Sequence, residues 1–353
     1  MQLDLFGAQN YEEMKRLDRL TQLGDNLLTL NTLVDWELFR PLLQKVLHSK
    51  PREHGGRPRY DVVMMFKILV LQRLYNLSDD QMEYQITDRM SFMRFLGLNL
   101  EKHVPDAKTI WHFREELVKA QVIDTLFALY GEQMEASGFV THRGSIQDAT
   151  FVEVPRQRNT PEENARIKAG EVPEEWLKDE NRNKRAQKDT DARWTKKGGV
   201  TYYGYKNHIK IDADSKLILS YETTSANVHD SQILANLVDE TDKILWADSA
   251  YAGEPVAAKL PPAVELRIHE RAYRGHPLTE EQKASNKEKS KVRVRIEHVF
   301  GAMTTKLRGL TARCIGKARV KFNIGLTNIV YNIDRFICLC RMKDRGIISV
   351  AQF

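Results

Sequence analysis

The segment KVRVRIEHVFGAMTTKLR, residues 291–308, decides how the carboxyl-terminal half of the chain is interpreted. Its apolar residues recur at steps of three, four and one, which is the stripe of an amphipathic helix of about five turns. They are Val292, Ile296, Val299, Phe300, Met303 and Leu307. The only carboxylate in the segment, Glu297, follows Arg293 by one helical turn, so an ordinary surface ion pair worth a few tenths of a kcal/mol is one explanation for it. Two aspartates elsewhere in the chain favour a different explanation.

These aspartates, Asp148 and Asp248, end or interrupt strand-like segments. In SIQDATFVEV the two-residue alternation places Asp148 on the same face as Ile146 and Val152. A carboxylate there is costly to bury unless it is paired, hydrogen-bonded or bound to a metal, although a cap or a sheet edge is the ordinary alternative. Asp248 terminates the short apolar strand of KILWADSAYAG, and the carboxyl end of a buried strand is a common place for ligand-binding groups.

Positive charge is concentrated around the Glu297 segment. Residues 281–321 contain twelve lysines and arginines against three acids, whereas the whole chain has a net charge of +6. A basic block of this kind is typical of proteins that bind a polyanion, most often nucleic acid, although a solvated surface is the simpler alternative.

Length and composition set further limits. The 353 residues suffice for two domains or one large domain, and no run of about 18 uncharged apolar residues is present. The first residues carry acids where a signal peptide would be basic, and the three cysteines form neither a disulfide framework nor a C-x-x-C metal spacing. We therefore expect a soluble, intracellular protein that is not associated with a membrane.

The first 140 residues are predicted to be helical. Apolar periodicity runs through residues 27–47 and 62–77, and Asp61 and Asp106 are predicted N-caps. Ser78 and Gln81 have the spacing of a capping box. A helical amino-terminal domain, residues 1–140, is a candidate for DNA binding or dimerisation, although any helical bundle would have the same pattern.

From residue 141 the pattern changes to alternation typical of strands, and the order β-β-β-α-β-α-β-α-α is predicted for residues 141–340, with a tail at 341–353. YYGYKNHIKID is predicted as an amphipathic strand with one polar face, and LILSYETTS as its hairpin partner. Asp230 or Ser231 is predicted to cap a helix over SQILANLVDE. Residues 156–199 hold twelve basic and nine acidic residues but few large apolar ones, which predicts a charged insertion, partly disordered when alone, with a helical piece near residues 174–177. The predicted fold class is thus mixed α and β.

Asp148, Asp248 and Glu297 supply hard oxygen ligands of the type that Mg²⁺ or Mn²⁺ prefers, without a competing histidine or cysteine cluster. Two such ions about 3.5–4 Å apart would support an in-line phosphoryl displacement. The spacing of three carboxylates is by itself a weak signal.

Five segments in order resemble successive blocks of the bacterial DDE transposases of the insertion-sequence-five family: GSIQDATFVEV, YYGYKNHIKID, TSANVHDS, WADSAYAG and RVRIEHVFG. The helical segments GGRPRYDVVMMFKILVLQRLYNLSD, FLGL and PDAKTIWHFRE resemble the amino-terminal region of the same family. The resemblance extends from residue 39 to residue 337.

This resemblance implies an RNase H-like catalytic core in which Asp148, Asp248 and Glu297 form the metal-binding triad. It also implies a reaction that cleaves a DNA strand and uses the freed 3′-hydroxyl to attack target DNA. Arg293 matches the arginine that precedes the glutamate by four positions in the family signature. Where the family usually has a lysine seven residues after the glutamate, this chain has Thr304.

The resemblance also implies DNA partners, namely the terminal inverted repeats of the element and the target, and a homo-oligomer, a dimer, on that DNA. It implies a location in the bacterial cytosol, associated with the nucleoid. The expected phosphate contacts are Arg293, Arg295, Lys306, Arg308, Arg313, Lys317 and Lys206. Two alternatives remain from the sequence. One is a catalytically inactive DNA-binding protein on a transposase fold, against which the presence of all three carboxylates argues, and the other is a stand-alone metal-dependent DNase.

Overall fold

The computed structural model describes residues 4–47, 58–99, 102–249, 260–273 and 276–349. Eight α-helices fold the described part of the first 140 residues: α1 (Asp4–Gln22), α2 (Asn26–Leu33), α3 (Arg40–Leu47), α4 (Val62–Tyr75), α5 (Asp79–Asp88), α6 (Met90–Leu96), α7 (Ala107–Lys119) and α8 (Ile123–Ala136). No helix in these described ranges combines the length and apolar character needed to cross a bilayer.

Local capping explains where several of these helices begin. The Asp61 carboxylate accepts hydrogen bonds from the backbone N–H groups of Val63 and Met64, and Asp106 accepts one from Thr109. Ser78 and Gln81 form a reciprocal capping box at the start of α5. Each cap satisfies backbone donors that a helix amino terminus leaves unpaired, and all three predicted caps are confirmed.

The remainder of the chain contains a six-stranded mixed sheet. Its strands are β1 (Ser145–Glu153), β2 (Arg193–Lys197), β3 (Val200–Asp212), β4 (Ile218–Ser225), β5 (Ile244–Ala247) and β6 (Glu265–Ile268). β1 pairs antiparallel with β3, which pairs antiparallel with β4, while β1 with β5 and β5 with β6 are parallel. The predicted three-stranded antiparallel start of the sheet and the mixed α and β fold class are therefore confirmed.

The register of β1 with β5 positions the two aspartates. Ser145 pairs with Leu245 and Ile146 with Trp246, a constant offset of 100 residues. Continued by two residues, this offset places Asp148 beside Asp248 with both side chains on one face of the sheet, because paired residues in parallel strands share a face.

Two long helices follow the sheet: α13 (Glu280–Thr305) and α14 (Lys317–Asp344). α13 carries Arg293 and Glu297 and packs against β1 and β5. α14 is fixed to the sheet by buried amides. The side chains of Asn207 and Asn328 hydrogen-bond each other at 2.8 and 3.2 Å, and Asn332 bonds both the N–H and the carbonyl of Ile218 at 2.8 Å, as a neighbouring strand would.

The packing of β1 against β3 explains why Gly204, the glycine of the segment YYGYK, has no side chain. Its φ is +144°, and a Cβ at this position would lie 2.4 Å from the Val152 carbonyl oxygen. Any side chain would therefore force β1 and β3 apart where they come closest.

The largest apolar cluster of the described residues joins the helical part to the sheet. It extends from Leu27 in α2 through Phe66 in α4 and Tyr130 in α8 to Ile209 in β3 and Phe336 in α14. α14 contacts α2, α4, α7 and α8 as well as β4, so it belongs to the packing of both parts.

Three details differ from the sequence-based expectations. Strand β3 is buried on both faces, Lys210 and His208 being only 1% and 0% exposed, because the segment that follows β4 covers the face predicted to be polar and open. The helix predicted over SQILANLVDE is reduced to a 3-10 turn, Asp230–Gln232, and one helical turn, α12 (Leu234–Leu237). The cap of that 3-10 turn is His229, since Asp230 pairs instead with Lys206.

The charged insertion is ordered around a few buried groups. It contains α9 (Pro161–Lys168), α10 (Glu174–Leu177) and α11 (Arg182–Ala186), and then β2. Trp176 is 1% exposed and donates its indole N–H to Glu163, and the buried Asp189 accepts a hydrogen bond from Tyr205 of β3. The helical piece expected at 174–177 is confirmed. The turn expected after Asp248 and the helix expected to follow it fall largely outside the described residues.

Candidate active site

Asp148 is the most buried member of the predicted triad, with 7% of its surface exposed. One carboxylate oxygen accepts a hydrogen bond from the Ala149 N–H at 2.8 Å, and the other accepts one from Arg293 Nη2 at 3.1 Å. Burial raises the pKa of Asp148 above its ordinary value, and the Ala149 bond and the charges of Arg293 and Lys197 partly oppose this. A buried carboxylate of this kind is stabilised by any cation that comes close to it.

Asp248 follows the last residue of β5 and is half-buried. Its Oδ1 atom accepts a hydrogen bond from the Ser249 N–H at 2.5 Å and lies 3.6 Å from Arg293 Nη1. One guanidinium therefore contacts both aspartates, in agreement with the adjacent positions that the strand register gives them.

Arg293 reaches this position because α13 packs across β1 and β5, with Ile296 and Val299 fully buried beneath it. Its Nε atom is buried without a hydrogen-bond partner in the described part of the chain. The surface ion pair with Glu297 that the i, i+4 spacing permits is not formed, since the guanidinium is held instead by two less exposed carboxylates across the helix–sheet boundary.

Glu297 lies one turn beyond Arg293 on α13, and its side chain is exposed. It makes no hydrogen bond or ion pair with any residue that the structure describes. The structure thus brings Asp148 and Asp248 together, with Glu297 on the neighbouring helix as an uncommitted carboxylate.

Two further side chains at this site were not singled out from the sequence. Lys197 ends β2, and its charge acts on Asp148. The signal for it was the pair Gly198 and Gly199 between two β-rich runs, whose φ values of +57° and +84° make the tight hairpin turn that such pairs favour.

The second is His269, which follows β6 and lies 2.9 Å from Ser290 Oγ on α13. Burial lowers the pKa of His269, and the Arg293 charge lowers it further. A single histidine after a four-residue strand gave no usable signal, because its proximity to Arg293 depends on how β6 and α13 pack.

The predicted DNA-contacting residues fall into two groups. Three are engaged within the fold: Lys206 is 8% exposed and pairs with Asp230 at 2.8 Å, Arg295 pairs with Asp214 at 3.0 Å, and Lys306 pairs with Asp334. The other three besides Arg293 are exposed and form no ion pair with the described residues: Arg308, Arg313 and Lys317.

Comparison with known proteins places this geometry in a family. Residues 141–333 match the transposase DDE domain, and residues 15–116 match a transposase domain designated DUF772. A solved structure, the piggyBac transposase synaptic complex with hairpin DNA, is similar to the chain at 12% identity and a TM-score of 0.47, covering 92% of this chain and 78% of that one. The mixed α and β fold class predicted from the sequence, a helical amino-terminal part followed by a mixed sheet flanked by helices, holds. The RNase H-like assignment and the narrower insertion-sequence-five assignment stay predictions. The match to the DDE domain covers more than half of this chain and includes Asp148, Asp248 and Glu297, and the chain therefore belongs to the DDE transposase family.

Proposed function

We propose that this transposase binds the ends of a DNA element, cleaves a strand there in a metal-dependent reaction and joins the freed 3′-hydroxyl to target DNA. The observation that carries the proposal is the contact of Arg293 with both Asp148 and Asp248. Two carboxylates on adjacent strands and one cation between them form a partly buried anionic site, which Glu297 flanks. Packing of the fold does not explain why these charged groups lie together.

The donor set fits a divalent cation that prefers oxygen ligands. Asp148 is buried, and its only hydrogen-bonding partners among the described residues are one backbone N–H and Arg293, so a metal ion would compensate its charge. Within the described ranges no group of three metal-binding side chains is already close enough to hold an ion. Asp148, Asp248 and Glu297 are proposed as the ligands of Mg²⁺ or Mn²⁺, with two ions in the active complex. Bound there, such ions would make a water or hydroxyl more acidic and stabilise the charge on a leaving oxygen.

The side chains of this protein have separate tasks in that reaction. Arg293 holds the two aspartates together, and its planar fork also suits bidentate contact with a DNA phosphate. The exposed Arg308, Arg313 and Lys317 contact the backbone of the duplex, which would account for the concentration of positive charge in this part of the sequence. The helical first 140 residues are proposed to contribute to DNA binding or dimerisation. A homodimer would present one site to each end of the element.

The carboxylates are tested by isosteric variants. Asp148→Asn, Asp248→Asn and Glu297→Gln should each lower the single-turnover rate of strand cleavage by more than about a hundredfold, ~2.7 kcal/mol in barrier, because ligands to the metal act on the chemical step. DNA affinity should stay near the wild-type value. Asp334→Asn, which removes a carboxylate on α14 that pairs with Lys306, is the matched control and should cleave normally. Cleavage within about tenfold of wild type would remove that residue from the proposed ligand set.

The metal requirement is tested by chelation on DNA that carries the element ends. Chelator should stop cleavage, and added Mg²⁺ or Mn²⁺ should restore it. Ca²⁺ should support binding without turnover, because it accepts looser oxygen coordination than octahedral Mg²⁺. Full activity in excess chelator would contradict the proposal.

A further inference from the structure

A cleft separate from the aspartates lies between the helical part and the carboxyl-terminal helices. Its volume is about 500 Å³, and it is bordered by α4, α5 and α7 on one side and by residues 311–326 on the other. The tip of the charged insertion reaches its edge at Ala186. Four arginines line it, namely Arg73, Arg114, Arg313 and Arg319.

Two of these arginines are neutralised within the cleft. Arg114 forms an ion pair with Asp79 and hydrogen-bonds both of its carboxylate oxygens, at 2.6 and 2.8 Å. Arg319 forms a two-bond pair with Glu115, with both distances at 2.8 Å. These pairs account for both carboxylates that line the cleft.

Arg73 is different, because it is 92% buried and has no anionic partner in the part of the chain that the structure describes. Its guanidinium donates to neutral acceptors alone: the carbonyl of Leu307 and the side-chain oxygens of Asn76 and Asn323. Its Nε atom is buried and has no hydrogen-bond partner among the described residues. Burial lowers the pKa of Arg73 to about 10, and the nearby charge of Arg313 acts in the same direction. A buried and uncompensated guanidinium is unfavourable, and an anion in the cleft would relieve it.

Arg313 is the second uncompensated cation. Its side chain is exposed at the border of the cleft and forms no ion pair with the described residues. The cleft therefore carries two positive charges that its own carboxylates do not balance, one buried at its wall and one at its opening.

We propose that this cleft binds a phosphate of the DNA backbone, with Arg73 and Arg313 as its ligands, as a contact distinct from the cleavage site. The proposal rests on DNA being the partner in the proposed function. Two observations favour a duplex over a small anion. Trp111 is 43% exposed at the border of the cleft, where its ring can pack against the apolar atoms of a backbone sugar.

The second observation is the position of the cleft relative to the carboxylates. Arg73 donates to Leu307, which follows the carboxyl end of α13, and eight residues separate Glu297 from that end. At 1.5 Å per residue this is roughly 12 Å along the helix. A duplex that advances about 3.4 Å per base pair would cover that distance within about four pairs. One DNA end could therefore occupy both places.

The test is salt-titrated binding of a mixed-sequence duplex in the presence of chelator, so that no cleavage occurs and the result does not depend on the proposed chemistry. Arg313→Gln and Arg73→Gln should each reduce the slope of log K against log salt by about 0.9. Between 50 and 200 mM salt this corresponds to about a 3.5-fold smaller change in affinity for each variant. Arg345→Gln removes an exposed charge just after α14, outside the cleft, and should leave the slope unchanged. Because Arg313 is exposed, its variant remains informative even if Arg73→Gln does not fold.

A second arm measures thermal unfolding with inorganic phosphate. If phosphate raises the melting temperature of the wild type but not of Arg73→Gln, while the DNA slopes of both variants equal that of the wild type, the cleft takes a free anion and the DNA assignment is overturned. If the variants keep the wild-type slope and phosphate does not change the melting temperature of the wild type, Arg73 serves only to cap the end of α13 and the proposal fails. Loss of slope in both cleft variants but not in Arg345→Gln supports it, whether or not the carboxylate variants abolish cleavage.

Discussion

At the scale of single residues, the arrangement at the candidate site follows from competition for one guanidinium. Arg293 could pair with Glu297 on its own helix or with aspartates across the helix–sheet boundary, and it contacts Asp148 and Asp248. Asp148 is buried, where an uncompensated charge costs more than it does at the exposed Glu297. The less solvated carboxylates therefore gain more from the cation, and the exposed one remains free of it.

This arrangement predicts that Arg293 affects the rate more than the affinity. Arg293→Ala removes a side-chain cation that contacts both aspartates, so the single-turnover cleavage rate at saturating protein should fall by more than about tenfold, ~1.4 kcal/mol. Arg293→Lys should recover only part of this loss, because an ammonium lacks the planar fork that spans two acceptors.

Arg308→Ala is the matched control, since Arg308 is exposed and unpaired among the described residues. It should weaken binding at raised salt and leave the saturated rate within about twofold of wild type. Equal losses of rate in the Arg293 and Arg308 variants would show that Arg293 is an ordinary phosphate contact.

The positions of single residues could be predicted from the sequence where the apolar periodicity of one helix or strand was sufficient evidence. The alternation in β1 placed Asp148 on an apolar face, and the apolar run before Asp248 marked the end of β5. The periodicity of the sequence did not reveal that Lys206 lies against Asp230 or that His269 lies near Arg293. Such contacts depend on how separate elements pack, and no spacing within one element encodes them.

At the scale of elements, strand β3 shows how a pattern of polar residues can mislead. Lys206, His208 and Lys210 share one face of β3, while Tyr205, Ile209 and Ile211 share the other, as in a strand with one solvent-exposed face. In the structure that face is buried, and its charged groups form ion pairs: Lys210 pairs with Asp239 and Asp242 at 2.8 and 2.6 Å. The aspartates come from the segment after β4, so the sequence of β3 alone could not distinguish an exposed polar face from a buried, paired one.

His208 gives this buried face a measurable dependence on pH. Burial lowers the pKa of His208 to about 4; Asp230 opposes this shift and Lys206 reinforces it. The unfolded chain, with a pKa of 6.5, therefore binds the proton that the folded chain excludes, so His208 contributes stability above pH 6.5 that is lost as pH falls toward 4. The loss can reach about 3 kcal/mol in the free energy of unfolding, at ~1.4 kcal/mol per pKa unit.

Urea unfolding of the wild type and of His208→Gln at about pH 7 and about pH 4.5 checks this expectation. The glutamine can keep a hydrogen bond to Thr224, which His208 makes at 2.8 Å, but does not titrate. The variant should therefore lose less stability over this interval than the wild type. His103→Gln is the control, because it alters an exposed histidine outside the sheet that forms no ion pair with the described residues, and it should behave as the wild type does. An identical pH dependence in His208→Gln would mean that His208 has the same pKa in the folded and the unfolded chain. A wild type that lost less stability than the variant would mean that Asp230 holds a protonated His208 in the folded protein.

The charged insertion and the segment after β4 mark the limit of prediction for short elements. The insertion has too few apolar residues for a core of its own, yet Trp176 is buried within it and hydrogen-bonds Glu163, and Asp189 joins it to the sheet through Tyr205. The helix expected after Val228 is reduced to one turn because Asp239 and Asp242 are drawn toward Lys210. In both places a few long-range polar contacts outweigh local propensity.

At the scale of the whole molecule, the change from helical to strand periodicity near residue 140 predicts two domains, and the largest apolar cluster of the described residues extends across that boundary. α14 begins beside the sheet, where Asn328 and Asn332 hold it, and continues against α2 and α8. Its buried residues surround much of the helix, as expected for an element covered on several sides. Periodicity identifies such a helix but does not specify which partners cover it.

This shared core predicts that the helical part and the sheet unfold together. Phe336 on α14 is 6% exposed, and its ring meets Tyr130 of α8 and Phe139 edge-on, at 6.4 and 5.8 Å between centroids. Phe336→Ala should therefore lower the free energy of unfolding by about 3–5 kcal/mol, the usual cost of removing a buried phenylalanine. Hydrogen exchange followed by mass spectrometry should show this loss equally in peptides from α4 and from β3, because amides that open only in global unfolding report the same free energy.

Leu177→Ala, at a position 51% exposed on the insertion, is the control and should change stability by less than about 0.5 kcal/mol. If Phe336→Ala weakened protection in α4 while β3 kept its wild-type value, the two parts would be independent units, and α14 would join them without coupling their stability.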